Sequence, residues 1–321
     1  MKSKIVLISP AAALANNGNW HTAHRWAKFL FGHCDIAITQ GWTATDEYAD
    51  AMIALHARRS APSIHAWAAQ HPGKSLVVVL TGTDLYRDIH TDAAAQTSLQ
   101  LATHLVVLQE AGLTKLPAGL RAKTRVIFQS APRLKPAIKS ARRLKAVMVG
   151  HLRDEKDPLT FMKAAQLCTA GLVDFDQIGD GLDAALASSA QTTAALHTHY
   201  RWLGGLPRAV TRQHIKRAHV LVNCSIMEGG AHVVLEAVQS GTPVLASRIS
   251  GNVGMLGADY EGYFEVGDAL ALATLVKRCT TEPAFLAHLQ SQCARRAELF
   301  EPAVEKRLVL NLIESALKEH P

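Results

Sequence analysis

The chain has 321 residues, 48% hydrophobic and 19% charged, long enough for two domains that each bury an apolar core. No run approaches the roughly 20 apolar residues of a membrane-spanning helix, and Ile5–Ile8 stops at Ser9-Pro10, too short for a signal peptide core, so a cytoplasmic protein with no membrane partner is expected. A net charge of +7 allows an anionic partner, but no nucleic-acid motif accompanies it, and five cysteines without a C-x-x-C pair give no metal or disulfide framework.

In chain order, apolar runs predict strands at Ile5–Ser9, Cys34–Thr39, Met52–His56, Ser75–Thr81, His104–Leu108 and Thr124–Gln129. Helical patterns fall between them at His21–Phe31, Ser60–Gln70 and Thr91–Ala102. Near-continuous apolar strands alternating with helices indicate a parallel sheet covered on both faces. The stretch Arg133–Lys145 carries six basic and no acidic residues and reads as a solvated linker. Alternation then resumes, with strands at Leu144–Gly150, Phe175–Ile178, Tyr200–Leu203, Val220–Cys224 and Pro243–Ala246. Helices are expected near Pro158–Ala170, Arg208–Arg217, His232–Ser240, Ala269–Cys279, Pro283–Leu299 and from Pro302 to about Lys318. The fold class is α/β, with two Rossmann-like doubly wound domains facing a cleft, residues 1–140 and 141–300, followed by a terminal helix over 301–321. Ligands of such sheets bind beyond the carboxyl ends of the strands.

The most informative segment runs from Ser225 to Ser247. Gly229 and Gly230 let a backbone turn approach a ligand, and the helix opening at Ala231 and His232 turns its unpaired N–H groups and positive dipole end to the same space, as a pyrophosphate cradle does. Glu228 precedes that helix and Glu236 lies about one turn inside it, followed by E-A-x(3)-G-x-P-V. This pattern resembles the family 4 glycosyltransferases of the GT-B type, which carry E-x(7)-E. The resemblance implies that Glu228 contacts the transferred sugar and Glu236 the ribose of the nucleotide. Gly150-His-Leu-Arg-Asp-Glu-Lys156 resembles the same family's G-R-x(4)-K, whose cations neutralise the donor phosphates. Lys156 matches the lysine. His151 stands where the family has arginine, and Arg153 is either its substitute or a surface partner of Asp154 or Glu155. Asn17, Gly18 and Asn19 read either as the family's loop beneath the donor phosphates or as a surface loop with Asn19 near a helix cap.

Asn17–Trp26, Ala54–Ser60, Leu80–Asp88, Gly150–Pro158, Met227–Ala237 and Ser247–Asp268 together resemble the selenosugar synthases of selenoneine biosynthesis, within family 4, over residues 1 to about 303. That resemblance implies a UDP-sugar donor, UDP-N-acetylglucosamine, selenophosphate as acceptor, no cofactor, and a 1-seleno sugar product. It also implies that the helix after Pro302 packs back on the N-terminal domain. Selenophosphate is already anionic, so it needs positive charge and orientation more than a base. His56, Arg58 and Arg59 after the third strand, and Thr81, Asp84 and Arg87 after the fourth, are the acceptor candidates, with Arg25 as a further cation. Adjacent Arg58 and Arg59 cannot both face one site, and Asp84 either orients a cation or caps its turn. Lys156, Arg153 and Glu228 are the catalytic set, stabilising the leaving diphosphate and holding the sugar.

Overall fold

The computed structural model describes residues 2–10, 18–43, 45–46 and 48–319. The chain divides into two compact units, Met1–Gln129 with Pro302–Pro321, and Ser130–Glu301.

The first unit holds a six-stranded parallel sheet in the order β2-β1-β3-β4-β5-β6. Its strands are β1 (Lys4–Ile8), β2 (Asp35–Thr39), β3 (Ala51–Leu55), β4 (Ser75–Leu80), β5 (His104–Val107) and β6 (Thr124–Val126). All residues of β3 and β4 are buried, as expected for central parallel strands covered on both sides. The period of two distributes them between two cores. Ile5, Leu7, Ile53, Val77 and Val79 pack with Trp26, Leu30, Val309, Leu312 and Ile313. Val6, Ile8, Met52, Ala54, Val78 and Leu80 pack on the other face with Ile64, Trp67 and Leu99.

The helix Pro302–Glu319 therefore belongs to the first unit, where Val309, Leu312, Ile313 and Ala316 form its buried i, i+3, i+4, i+7 stripe. Full burial of each large apolar side chain there is worth about 1.5–3 kcal/mol. Glu305 fixes its register. This fully buried carboxylate accepts from Arg25 Nε at 2.7 Å, Arg25 Nη2 at 3.0 Å and Trp26 Nε1 at 2.8 Å, all on helix Gly18–Leu30.

The second unit repeats the architecture with order β12-β11-β10-β7-β8-β9. Its strands are β7 (Leu144–Val149), β8 (Val173–Ile178), β9 (Tyr200–Trp202), β10 (Val220–Asn223), β11 (Val244–Ser247) and β12 (Tyr263–Phe264), again all parallel. Two helices and one strand here are additions to the sequence-based expectation: Ala184–Leu196, Ser250–Leu256 and β12. The first is built of alanine, serine and threonine and buries only Leu186, Ala190 and Thr193, with Asp183 capping the Leu186 amide at 2.9 Å.

Most of the basic stretch after residue 132 is exposed, as expected of a solvated segment, but it is tied to the second unit at particular residues. The units divide at 129/130 instead of 140/141, because Leu134 N donates to Gln239 O at 2.9 Å and Lys139 is drawn into the second unit. Lys139 Nζ donates to Lys216 O at 2.7 Å, Ala218 O at 2.6 Å and Thr242 Oγ1 at 3.0 Å. It caps the last carbonyls of helix Arg208–Arg217, and burial lowers its pKa to about 8.

Candidate functional site

In the second unit, the chain leaves β7 at Gly150 and makes a short turn, Asp154–Lys156, before helix Pro158–Leu167. Asp157 ends that turn at φ 44° and caps the helix through the Thr160 amide and hydroxyl, a left-handed position that an aspartate tolerates. A Cβ on Gly150 would meet the Lys156 stem at 3.4 Å, so the lysine lies along this glycine. Lys156 Nζ ends 2.5 Å from Glu228 Oε1, which also accepts from Ser225 Oγ at 2.7 Å. Burial raises the Glu228 pKa. The Lys156 charge and hydrogen bonds from Lys156, Ser225 and Asn223 outweigh it and hold the carboxyl below its ordinary range. The turn carrying Glu228 is fixed from two sides. Ile226 N donates to Glu155 O at 3.0 Å, and Gly251 lies so close that a Cβ there would stand 2.1 Å from Glu228 O. Thus two segments read separately in the sequence meet in one ion pair.

Glu236 makes a second centre, on helix His232–Val238. Its buried Oε1 accepts from Arg208 Nε at 3.1 Å and Nη2 at 2.9 Å, and lies 3.5 Å from His232 Nδ1 and 3.8 Å from Arg212 Nε. Burial again opposes ionisation, but the His232 hydrogen bond and charge, then those of Arg208, bring its pKa down to about 2. Arg208 and Arg212 belong to no motif; only their i, i+4 spacing placed them on one helix face.

Several expected members of this set lie elsewhere. Ala231 N, on the residue just before helix His232–Val238, donates to Met255 Sδ at 3.1 Å, a weak acceptor. Arg153 is half-exposed with Nε 3.8 Å from Glu155, and does not join Lys156 at Glu228. His151 Nδ1 accepts from Asp180 N at 3.1 Å. Gly229 and Gly230 adopt no left-handed φ, so what they contribute is the missing side chain. Gly18 and Asn19 open helix Gly18–Leu30 instead of forming a loop, with Gly18 O accepting from Thr22 Oγ1 at 2.8 Å. Asn17 lies outside the described residues.

In the first unit, the ends of β3 and β4 are joined by two buried carboxylates. Asp84 Oδ2 accepts from Ala57 N at 2.9 Å, and Oδ1 from Thr81 N at 3.0 Å and Gly82 N at 2.8 Å. Asp84 therefore ties loops together through backbone amides and is not the partner of a cationic side chain. Asp88 has that part: its oxygens accept from Arg58 Nε at 3.0 Å and Arg87 Nε at 3.1 Å. Both arginines are about half exposed. Asp88 was not anticipated, because it lies in a single π-type turn, Asp84–Asp88, that periodicity does not reveal.

His56 stands between the two acids at φ 73°, a strained conformation for a residue of this size. Its Nδ1 accepts from Arg59 N at 3.2 Å, which leaves Nε2 to carry the proton of the neutral ring, 3.0 Å from Thr83 Oγ1. Burial is the largest influence on this imidazole and lowers its pKa; Asp84 pulls the other way. Of the adjacent arginines, Arg58 enters the cluster by its guanidinium, whereas the Arg59 side chain is exposed and only its amide takes part. Arg25 is engaged by Glu305 and is not among these cations.

Residues 133–299 match the family described as glycosyl transferases, group 1. Among solved structures, Anabaena HepE in complex with UDP and glucose is 15% identical over 98% of this chain and 100% of its own, with a TM-score of 0.76. Sucrose-phosphate synthase from Thermosynechococcus elongatus is 16% identical, with 99% and 100% covered and a TM-score of 0.78. The lipopolysaccharide outer core galactosyltransferase WaaB is 15% identical, with 97% and 99% covered and a TM-score of 0.69. No curated protein sequence gives a match. At such identities the structures show a shared fold, two parallel-sheet Rossmann-like domains of the GT-B kind, and the family match spans more than half of the sequence. The chain belongs to the group 1 glycosyl transferases.

Proposed function

We propose that the chain is a selenosugar synthase of the SenB type, transferring N-acetylglucosamine from UDP-N-acetylglucosamine to selenophosphate. The C1–O bond to UDP breaks, and a C1–Se bond forms with retention at the anomeric carbon. Water then cleaves the Se–P bond, releasing phosphate and a 1-seleno sugar.

The observation that carries this reading is the state of the proton acceptors around His56. An alcohol acceptor profits from a base within hydrogen-bond reach. Asp84 is engaged by three amides, Asp88 by two guanidinium groups, and His56 Nδ1 by the Arg59 amide. What the cluster offers instead is the outer N–H groups of Arg58 and Arg87, planar donors of the kind that fit phosphate oxygens. An acceptor that arrives already ionised suits that set, and selenium attack requires no proton removal. The sequence resemblance, extending from residue 1 to about residue 303, selects selenophosphate within that class.

For the donor, the UDP complex of HepE supports a uridine nucleotide. Glu236 receives the ribose hydroxyls and Glu228 those of the sugar, while Lys156 leaves its ion pair to stabilise the departing diphosphate. Gly150, Gly229 and Gly230 admit the phosphates close to the backbone, next to His232. Arg153 has weaker support, because it reaches the diphosphate only by leaving Glu155. The WaaB galactosyltransferase among the similar structures favours a second reading, retaining transfer to an alcohol such as a lipid or cell-wall sugar. Incubation with UDP-N-acetylglucosamine and selenophosphate, followed by mass spectrometry, decides the matter. Stoichiometric UDP and a selenium-containing N-acetylhexosamine are expected; UDP release that depends on an added alcohol and not on selenophosphate overturns the proposal.

A further inference from the structure

The two oxygens of a carboxylate are equivalent until the surroundings distinguish them, and at Glu236 they do so strongly. Arg208 places both Nε and Nη2 on Oε1, at 3.1 and 2.9 Å, instead of spreading its fork over both oxygens. Arg212 Nε at 3.8 Å and His232 Nδ1 at 3.5 Å approach the same oxygen. Arg212 is held by Nη2 donating to Pro132 O at 2.6 Å. The start of their helix is also fixed, since Thr211 Oγ1 donates to Leu206 O and Pro207 O at 3.2 Å each. In the turn before it, Gly205 packs so tightly that a Cβ would lie 2.0 Å from Asp180 Oδ1.

We propose that Arg208, together with Arg212, is a positioning residue that pins Glu236 by Oε1 so that Oε2 is presented to the ribose hydroxyls of the donor nucleotide. This rests on the reading of Glu236 as the ribose contact. Among the described residues, the charged groups that face Glu236 are His232 on its own helix and Arg208 and Arg212 on the neighbouring one. Removing Arg208 both frees the carboxylate to rotate and weakens the charge that keeps it ionised.

The test is calorimetric titration of the full chain with UDP and with 2′-deoxy-UDP between pH 4.5 and 7.5, for wild type, Arg208→Gln and Arg217→Gln. Arg217 is exposed at the far end of the same helix and serves as the control. Wild type is expected to prefer UDP about tenfold, the effect of one hydrogen bond to a charged group, with a ratio between the two nucleotides that does not change with pH, since their phosphates titrate alike. Arg208→Gln is expected to bind UDP about tenfold more weakly, to lose the preference, and to weaken further below pH 5 as Glu236 protonates. Arg217→Gln is expected to behave as wild type. If Arg208→Gln keeps the preference, whether or not overall affinity falls, its role is structural only and the proposal is overturned while the Glu236 reading stands. A wild type that does not distinguish the two nucleotides overturns that reading, and the proposal with it.

Discussion

Both units bring carboxylates to the carboxyl ends of their strands, and they hold them in opposite ways. In the second unit, Glu228 and Glu236 are paired with side chains: a lysine on a four-carbon stem and a half-exposed arginine. In the first, Asp84 is held by three backbone amides. A side-chain partner can turn aside for a ligand, as proposed for Lys156, or hold one oxygen and leave the other to it, as proposed for Arg208, whereas backbone amides cannot turn away without unfolding the loop that bears them. On the proposed reading the contrast separates acids that bind from an acid that builds, and Asp88, shared by two half-exposed arginines, stands between them.

The largest effect expected from this comparison is on stability. Asp84→Ala strands the Ala57, Thr81 and Gly82 amides in a buried place and should destabilise the protein by about 3–5 kcal/mol in urea unfolding. A loss below about 1 kcal/mol in that experiment would mean that the amides find other partners and the contrast breaks. On the proposed reading Glu228→Gln should lower turnover about a hundredfold, more than the loss of its Lys156 ion pair costs in folded fraction, since a charged acceptor for the sugar hydroxyls disappears. An unchanged rate would remove Glu228 from the reaction.

Acid sharpens the same contrast. The Glu236 pKa is brought from an ordinary value near 4.5 in the unfolded chain to about 2 in the fold. Its contribution to stability is therefore present above about pH 4.5 and is lost as pH falls toward 2, and Glu228, also lowered, acts in the same direction. Glu236→Gln should lower stability by about 2 kcal/mol at pH 8–9 and by little near pH 2, which flattens the acid limb. An acid limb identical to wild type would contradict the ion pairing. The smallest effects belong to the arginines of the first unit. Arg58→Ala should raise the acceptor concentration required about tenfold, and Arg59→Ala should change both that requirement and stability by less than about twofold and 0.5 kcal/mol. Equal effects for the two would show that the Arg59 side chain, exposed here, reaches the ligand.

Much of the architecture is legible in the sequence because parallel strands such as Ala51–Leu55 and Ser75–Leu80 are unbroken apolar runs. Helix Ala184–Leu196 is not, since one leucine, one alanine and one threonine form its buried face and leave no apolar period to detect. β12 spans only two residues, Tyr263–Phe264. The glutamates and Lys156 stand out because their spacing along one turn or one loop is fixed by the chemistry they surround. Arg208, Arg212 and Asp88 become visible only when distant segments meet, Arg208 being 28 positions from Glu236 and Asp88 30 from Arg58. A tertiary contact of that length leaves no local pattern. Arg25 illustrates the converse: a cation near a motif that packing assigns to Glu305.

The account depends on an acceptor that arrives ionised. It can be examined in one competition, with UDP-N-acetylglucosamine supplied together with equal concentrations of selenophosphate, thiophosphate and glycerol, and products separated by mass. The expected outcome is transfer to the selenium or sulfur anion, with selenium favoured and glycerol untouched. Transfer to glycerol in preference to either anion would contradict it.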